Sequence, residues 1–192
     1  PVAKIAAAWF CTLEGHLRTA DVRVFLACHE AVARRCTLPA GKDPKFTHKE
    51  MLGLCGGTER RLKASLRRLE AVGLLAFSES AISFAKNRAE LSIDLGEFQP
   101  FLEQFPNYKR LLPVPRRILR LLAGGARASL IATVLGHLIW GLYGTGQGSF
   151  KASGRLKASW VAETFGVDLR RVREARKELA ELGWLVLEES KQ

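Results

Sequence analysis

Carboxylates are scarce in this chain: nineteen Asp and Glu stand against thirty Lys and Arg, a net charge of +11 over 192 residues. That deficit points to a polyanionic partner, nucleic acid first and an anionic membrane surface second. A basic but inert surface is the plainer alternative. Also missing is any CxxC pair. Cys11, Cys28, Cys36 and Cys55 lie in the first third, near His16, His29 and His48, yet their spacings fit no common structural-zinc pattern. They read as reduced cytosolic thiols, with Cys28 and Cys55 serving as small hydrophobes on helices.

A membrane-spanning run is missing as well. The most apolar stretch, SLIATVLGHLIWGLY (Ser129 to Tyr143), is too short to cross a bilayer comfortably and has no matching flanks. It reads as a buried helix. No signal peptide is visible, and Pro1 without a preceding Met reads as a processed or trimmed terminus. Catalytic constellations are equally thin. GTGQGSFK has alternating glycines without Walker spacing, and it is expected to join two helices rather than leave a strand. His29, His48 and His137 have no carboxylate or serine partner at a motif spacing. No enzyme, cofactor or metal is expected.

What is present is a unit that occurs twice. In RRLEAVGLLAFSES (Arg67 to Ser80), a helix with Leu62, Leu66, Leu69 and Val72 on one face ends at Gly73. A short apolar strand (Leu74 to Phe77), a polar turn (Ser78 to Ser80) and a return strand (AISFA) follow. KELAELGWLVLEES (Lys177 to Ser190) has the same shape. Shifting the chain by 110 lays Thr19–Ser80 over Ser129–Ser190 without a gap. Gly56 falls on Gly166, Thr58 on Asp168, Arg61 on Arg171, Leu62 on Val172, Leu69 on Leu179, Val72 on Leu182, Gly73 on Gly183 and Leu75 on Leu185. A period this long marks two copies of a domain.

In the first copy, ADVRVFLACHEAVARR is helix one, capped by Thr19, and CTLPAGKDPK is a loop. THKEMLGL is helix two, with Thr47 as cap and Glu50 in the capping-box position. CGG is the turn, and Thr58 to Val72 is helix three. In the second, Ser129–Tyr143, SWVAETF capped by Ser159, the turn GVD and Leu169–Leu182 take these places. Two helices joined by a short glycine-bearing turn form a helix-turn-helix. ILRLLAGG (Ile118 to Gly125) reads as a short helix leading into the second copy, KNRAELSIDL as an extension of the first wing, and KIAAAWFCTL equally as strand or helix. LVLEESKQ stops where a second wing should return, so either this copy has no wing or the chain is cut there, the latter being the favoured reading.

The fold class expected is therefore mainly α with small β-wings (α+β), as two winged helix-turn-helix domains in tandem. Residues 1–95 form the first, 96–117 a linker and 118–192 the second. Opposite the apolar face of helix three lie Arg60, Lys63, Ala64, Arg67 and Arg68. Arg60 and Lys63 are placed for base edges, Arg67 and Arg68 for phosphates. Thr58, Arg61, Lys49 and His48 complete the candidate surface, His48 toward the DNA backbone. In the second copy Arg170, Arg171, Arg173, Lys177 and Ser159 are the counterparts, but Glu174 and Glu178 share the face. A solvated helix face is the alternative in both. The second copy's first helix is apolar on most sides, through Leu130, Ile131, Val134, Leu135, Leu138, Ile139, Trp140 and Leu142. It must be covered all round, by the first copy or by a dimer partner.

SWVAETFGVDLRRVREARKELAELGWLVLEES resembles the winged helix-turn-helix domains of plasmid and phage replication initiators and replisome organisers. The resemblance spans Thr19–Phe84 and Ser129–Ser190. It implies a sequence-specific binder of double-stranded DNA from a plasmid, phage or mobile element, acting in replication initiation in the bacterial cytoplasm at nucleoid or plasmid. It further implies one unit for dimerisation and one for repeated DNA sites, with a second copy or a replication protein as partner. A winged-helix transcriptional repressor and a protein-binding scaffold are the alternatives.

Overall fold

A computed structural model describes residues 2–35, 44–78, 81–85, 98–104, 114–143 and 156–187. The chain is mainly helical with one small antiparallel sheet. Helix α1 (Val2–Leu13) settles the undecided N-terminal stretch as helical. Then come α2 (Thr19–Arg34), β1 (Lys45–Phe46), α3 (His48–Cys55), α4 (Glu59–Ala71), β2 (Leu75–Phe77) and β3 (Ile82–Phe84). After α5 (Phe98–Glu103), a second series follows: α6 (Arg116–Ala123), α7 (Ala128–Tyr143), α8 (Ala158–Phe165) and α9 (Leu169–Glu181).

The shift of 110 now acquires geometry. It carries α3 onto α8 and α4 onto α9 residue for residue, and it carries the end of α1, Leu13, onto the end of α6, Ala123. The glycines that follow these helices match too. Gly15 and Gly125, Gly56 and Gly166, and Gly73 and Gly183 all have positive φ, the backbone region that only glycine enters cheaply. The repeat thus includes one more helix than the sequence comparison covered.

Packing does not follow the order of the chain. Helix α6 lies along α2 and touches α3; α1 lies against α7 and α8 as well as against its neighbour α2. Under the shift, α6 against α2 and α3 is the counterpart of α1 against α7 and α8. The repeat is not packed symmetrically: α6 lies on the first half, whereas α1 lies between α2 of its own half and α7 and α8 of the other. Side chains fasten each crossing. Arg23 of α2 donates to the carbonyls of Ala123 (3.2 Å) and Cys55 (2.9 Å), and Arg116 of α6 reaches Glu30 of α2 at 3.1 Å. On the other side the Trp9 indole N–H donates to the Phe165 carbonyl at 3.1 Å. Each cross-half bond ties down the last carbonyl of a helix, Ala123 of α6 and Phe165 of α8, while Cys55, the counterpart of Phe165, is held by Arg23 of its own half. The apolar helix α7 is covered by α1, α8 and α9, which leaves Trp140 partly exposed against Trp160.

The sheet has the order β1-β3-β2, with Leu75 opposite Phe84, Phe77 opposite Ile82 and Phe46 opposite Ile82. Phe84 packs edge-on against Phe25 and Phe46 and lies beside His29, fixing the hairpin to α2. The strand at β1 was not expected from the loop reading.

Several local expectations need correction. Helix α2 is capped at Arg18 rather than Thr19, because Asp21 reaches back to accept the Arg18 N–H at 2.8 Å. Helix α8 begins at Ala158 with Lys157 at the cap position, so Ser159 lies inside the first turn and caps nothing. The exit from α9 forms no strand through residue 187. Leu182 is 50% and Val186 89% exposed, whereas Val72, the counterpart of Leu182, is buried. The loop at 36–43, the segment KNRAELSIDL, the GTGQGSFK loop and the last five residues lie outside the described residues.

Two predictions follow from buried polar groups. Asp21 is fully buried and held by Arg68 through two bonds of 2.7 and 2.8 Å. Arg68→Ala strands that carboxylate and is expected to cost about 3 kcal/mol. Combined with Asp21→Ala it should cost clearly less than the sum of the two single changes. Additive urea-denaturation energies would contradict the pairing. Burial also lowers the pKa of His29 from 6.5 to about 3. The unfolded chain takes up that proton between pH 6.5 and 3 and the folded chain does not. Stability is therefore full above pH 6.5 and falls as pH drops through this window, by up to about 1.4 kcal/mol per unit. His29→Phe should flatten that slope in urea titrations, and an unchanged slope would disprove it.

Candidate nucleic-acid interface

Helix α4 is built to leave one face free. Leu62, Ser65, Leu66 and Leu69 are buried, and Thr58 caps the helix by accepting the Arg61 N–H at 3.4 Å. On the outward side a shallow, open depression is lined by Glu59, Arg60, Lys63, Ala64 and Arg67. Arg60 and Arg67 are exposed and have no ion-pair partner among the described residues; Lys63 is paired with Glu59 at 2.9 Å. Between the arginines stands Ala64, too small to fill the space and without charge to neutralise them.

The other residues expected on this surface divide. Arg68 faces α2 and is occupied by Asp21, whose carboxylate raises the guanidinium pKa further. It is a structural tie, turned away from the depression. Arg61 is exposed but outside the depression's lining. Lys49 is exposed on α3, while His48 has its Nε2 enclosed, with no hydrogen-bond partner among the described residues. Thr47 caps α3 as expected, accepting the Glu50 N–H. The Glu50 carboxylate does not reach back to complete a capping box; it holds Arg35 at 2.7 Å.

Helix α9 presents a different surface from a similar sequence. Glu174 stands where Ala64 stands in α4, and its two oxygens hold Arg170 at 3.1 Å and Arg171 at 3.4 Å. Arg176 is drawn inward to the Leu156 carbonyl. Glu178, the counterpart of Arg68, pairs with Arg127 just before α7. In both halves the last turns of this helix are thus tied to the start of the half's long helix, with the charges exchanged. Arg173 and Lys177 remain exposed. Local neutralisation, more than the count of cations, separates the two faces.

Burial sets the state of several histidines and cysteines among the described residues. Burial lowers the His137 pKa to about 4 and raises the thiols of Cys11 and Cys55 to about 11. Such thiols are protonated and inert at neutral pH. Among the described residues no group of three or more His, Cys, Asp or Glu is placed to hold a metal ion, and no helix is long and apolar enough to cross a membrane.

Comparison of the chain with protein-family models, curated proteins and solved structures returned no match.

The Ala64 and Glu174 positions make the contrast testable. Ala64→Glu should recreate the α9 pattern on α4 and weaken retention on a duplex or another polyanion by roughly tenfold at low salt. Glu174→Ala should release Arg170 and Arg171 and strengthen retention. Equal retention for both variants and the parent chain would show that neither face meets the polyanion.

Proposed function

We propose that the protein is a sequence-specific binder of double-stranded DNA, built as two winged helix-turn-helix units in tandem. The unit formed by α2, α3, α4 and the β2–β3 hairpin is the principal reader. The observation that carries this is the exposed, mainly cationic face of α4, where Arg60 and Arg67 have no ion-pair partner among the described residues. Arg60, Lys63 and Arg67 surround a small residue on the second helix of a helix-turn-helix, opposite a fully buried apolar face. In this docking the N-terminal residues of such a helix meet base edges, and the phosphates are held further along. Arg60 and Lys63 take the first role and Arg67 the second.

The second unit, with α9 largely neutralised by its own glutamates, contributes little to phosphate binding. Its role on this reading is to complete the fold of the first unit and to carry a further contact, with a second copy or a replication protein. The resemblance to plasmid and phage initiators makes replication initiation the favoured setting, with the protein at the bacterial nucleoid or a plasmid. Identifying the enriched DNA as origin repeats or as a promoter would decide between initiator and repressor.

A titration against a random-sequence duplex pool at two salt concentrations, with sequencing of the retained DNA, tests the reading. Binding should weaken steeply with salt and enrich a motif. Arg67→Ala should lower the salt slope by about one, whatever the sequence. Arg60→Ala with Lys63→Ala should also flatten the motif, while Arg170→Ala should change little. If the α4 variants bind as the parent does, the DNA lies elsewhere on the molecule.

A further inference from the structure

One acidic side chain stands on the cationic face of α4. Glu59 lines the same depression as Arg60, Lys63 and Arg67. The other glutamate of this helix, Glu70, is engaged by the hairpin, accepting the Phe77 N–H at 3.3 Å. A carboxylate facing phosphates opposes binding to every duplex. Its favourable position in the first turn of a helix accounts for its helix-forming value, and a residue elsewhere in that turn would supply the same. What sets Glu59 apart is its partner. Its carboxylate lies 2.9 Å from the Lys63 ammonium, and both side chains are about half exposed. The hydrogen bond from Lys63 holds the Glu59 pKa below the ordinary carboxylate value, so the group is an acceptor only at neutral pH.

We propose that Glu59 and Lys63 together read a single C·G base pair, with Glu59 as the specificity-determining residue. The proposal rests on the DNA-binding reading above. In the major groove cytosine presents the N4 amino donor, and its paired guanine presents the O6 and N7 acceptors. N4 and O6 are themselves hydrogen-bonded, hence about 2.9 Å apart, which matches the carboxylate–ammonium separation. The ion pair therefore lies across the edge of the base pair without parting, the carboxylate accepting from N4 and the ammonium donating to O6 or N7. An A·T pair offers an amino group as well, but adenine N7 beside it repels the second carboxylate oxygen. On the partner strand, thymine gives Lys63 one acceptor next to a methyl group. The reversed G·C pair sets acceptor against acceptor. Helix α9 has Leu169 and Arg173 in the corresponding places and carries no such pair.

The experiment is selection from a randomised duplex pool with the full chain, its Glu59→Gln variant and its Glu59→Leu variant, the last copying α9. The parent chain should enrich a motif with one fixed C·G position. Both variants should lose the preference at that position alone, by roughly ten- to a hundredfold, keep the rest of the motif, and bind random duplex more tightly at low salt. Circular dichroism of each variant should show the parent's helical signal. If both folded variants enrich the parent's motif unchanged, or if the parent's motif has no fixed C·G pair, the proposal fails while the DNA-binding reading stands. If the parent retains no duplex at all, the underlying reading fails and this proposal with it.

Discussion

The structure depends on first helices that pack across the two halves. Helix α6 belongs by sequence to the second half and lies on α2 of the first; α1 belongs to the first and lies between α2 and the second half's α7 and α8. One continuous hydrophobic core results, running from Ile5 and Trp9 through Phe25 and Leu66 to Phe165 and Leu179. Neither long helix, α2 or α7, has its apolar surface covered by its own half alone. The apolar α7 is packed by α1, α8 and α9, with Trp140 left exposed. The cross-half packing also fixes where α4 can lie. Its buried face meets α2, which α6 and the hairpin clamp from other sides, so its outward face is set by contacts far along the chain.

Charge is distributed by the same logic. Of the many arginines, a large share are engaged in the protein itself: Arg23 on two carbonyls, Arg34 and Arg116 on Glu30, Arg35 on Glu50, Arg68 on Asp21, Arg127 on Glu178 and Arg170 on Glu174. Glu30 and Asp21 are fully buried, where an unpaired carboxylate would be costly. These pairs leave the net charge of +11 unchanged, since it already counts the carboxylates, but they fix where the excess lies. On α4 the exposed Arg60 and Arg67 have no ion-pair partner among the described residues, so the unpaired charge there is small and local.

Much of the fold was legible in the sequence because helices announce themselves through period and punctuation. Leu62, Leu66 and Leu69 at helical spacing, Thr58 and Asp168 as caps, and the terminating glycines Gly73 and Gly183 fixed α4 and α9 closely. The hairpin was legible from Leu74–Phe77 and AISFA. Several features were not. The cross-half packing of α1 and α6 depends on which apolar surfaces meet in space, and no local pattern encodes that choice. Arg68 sat on the outward face by angle alone, but a long side chain reaches around a helix to a buried carboxylate, and Asp21 gave no hint of burial from its position in a first turn. Ser159 looked like a cap by chemistry, yet α8 starts one residue before it. Glu174 was visible as an acidic residue on the basic face of α9; that it holds Arg170 and Arg171 where Ala64 holds none required the folded helix.

The crossed packing has a consequence for dilution. Were α6 supplied by a separate chain, the first half would keep that cover only above the concentration at which the pair dissociates. Here α6 and α2 are on one polypeptide, and the connecting chain holds them together at a fixed effective concentration. The contact between α2 and α6 that helps to set α4 in place therefore does not weaken as the protein is diluted.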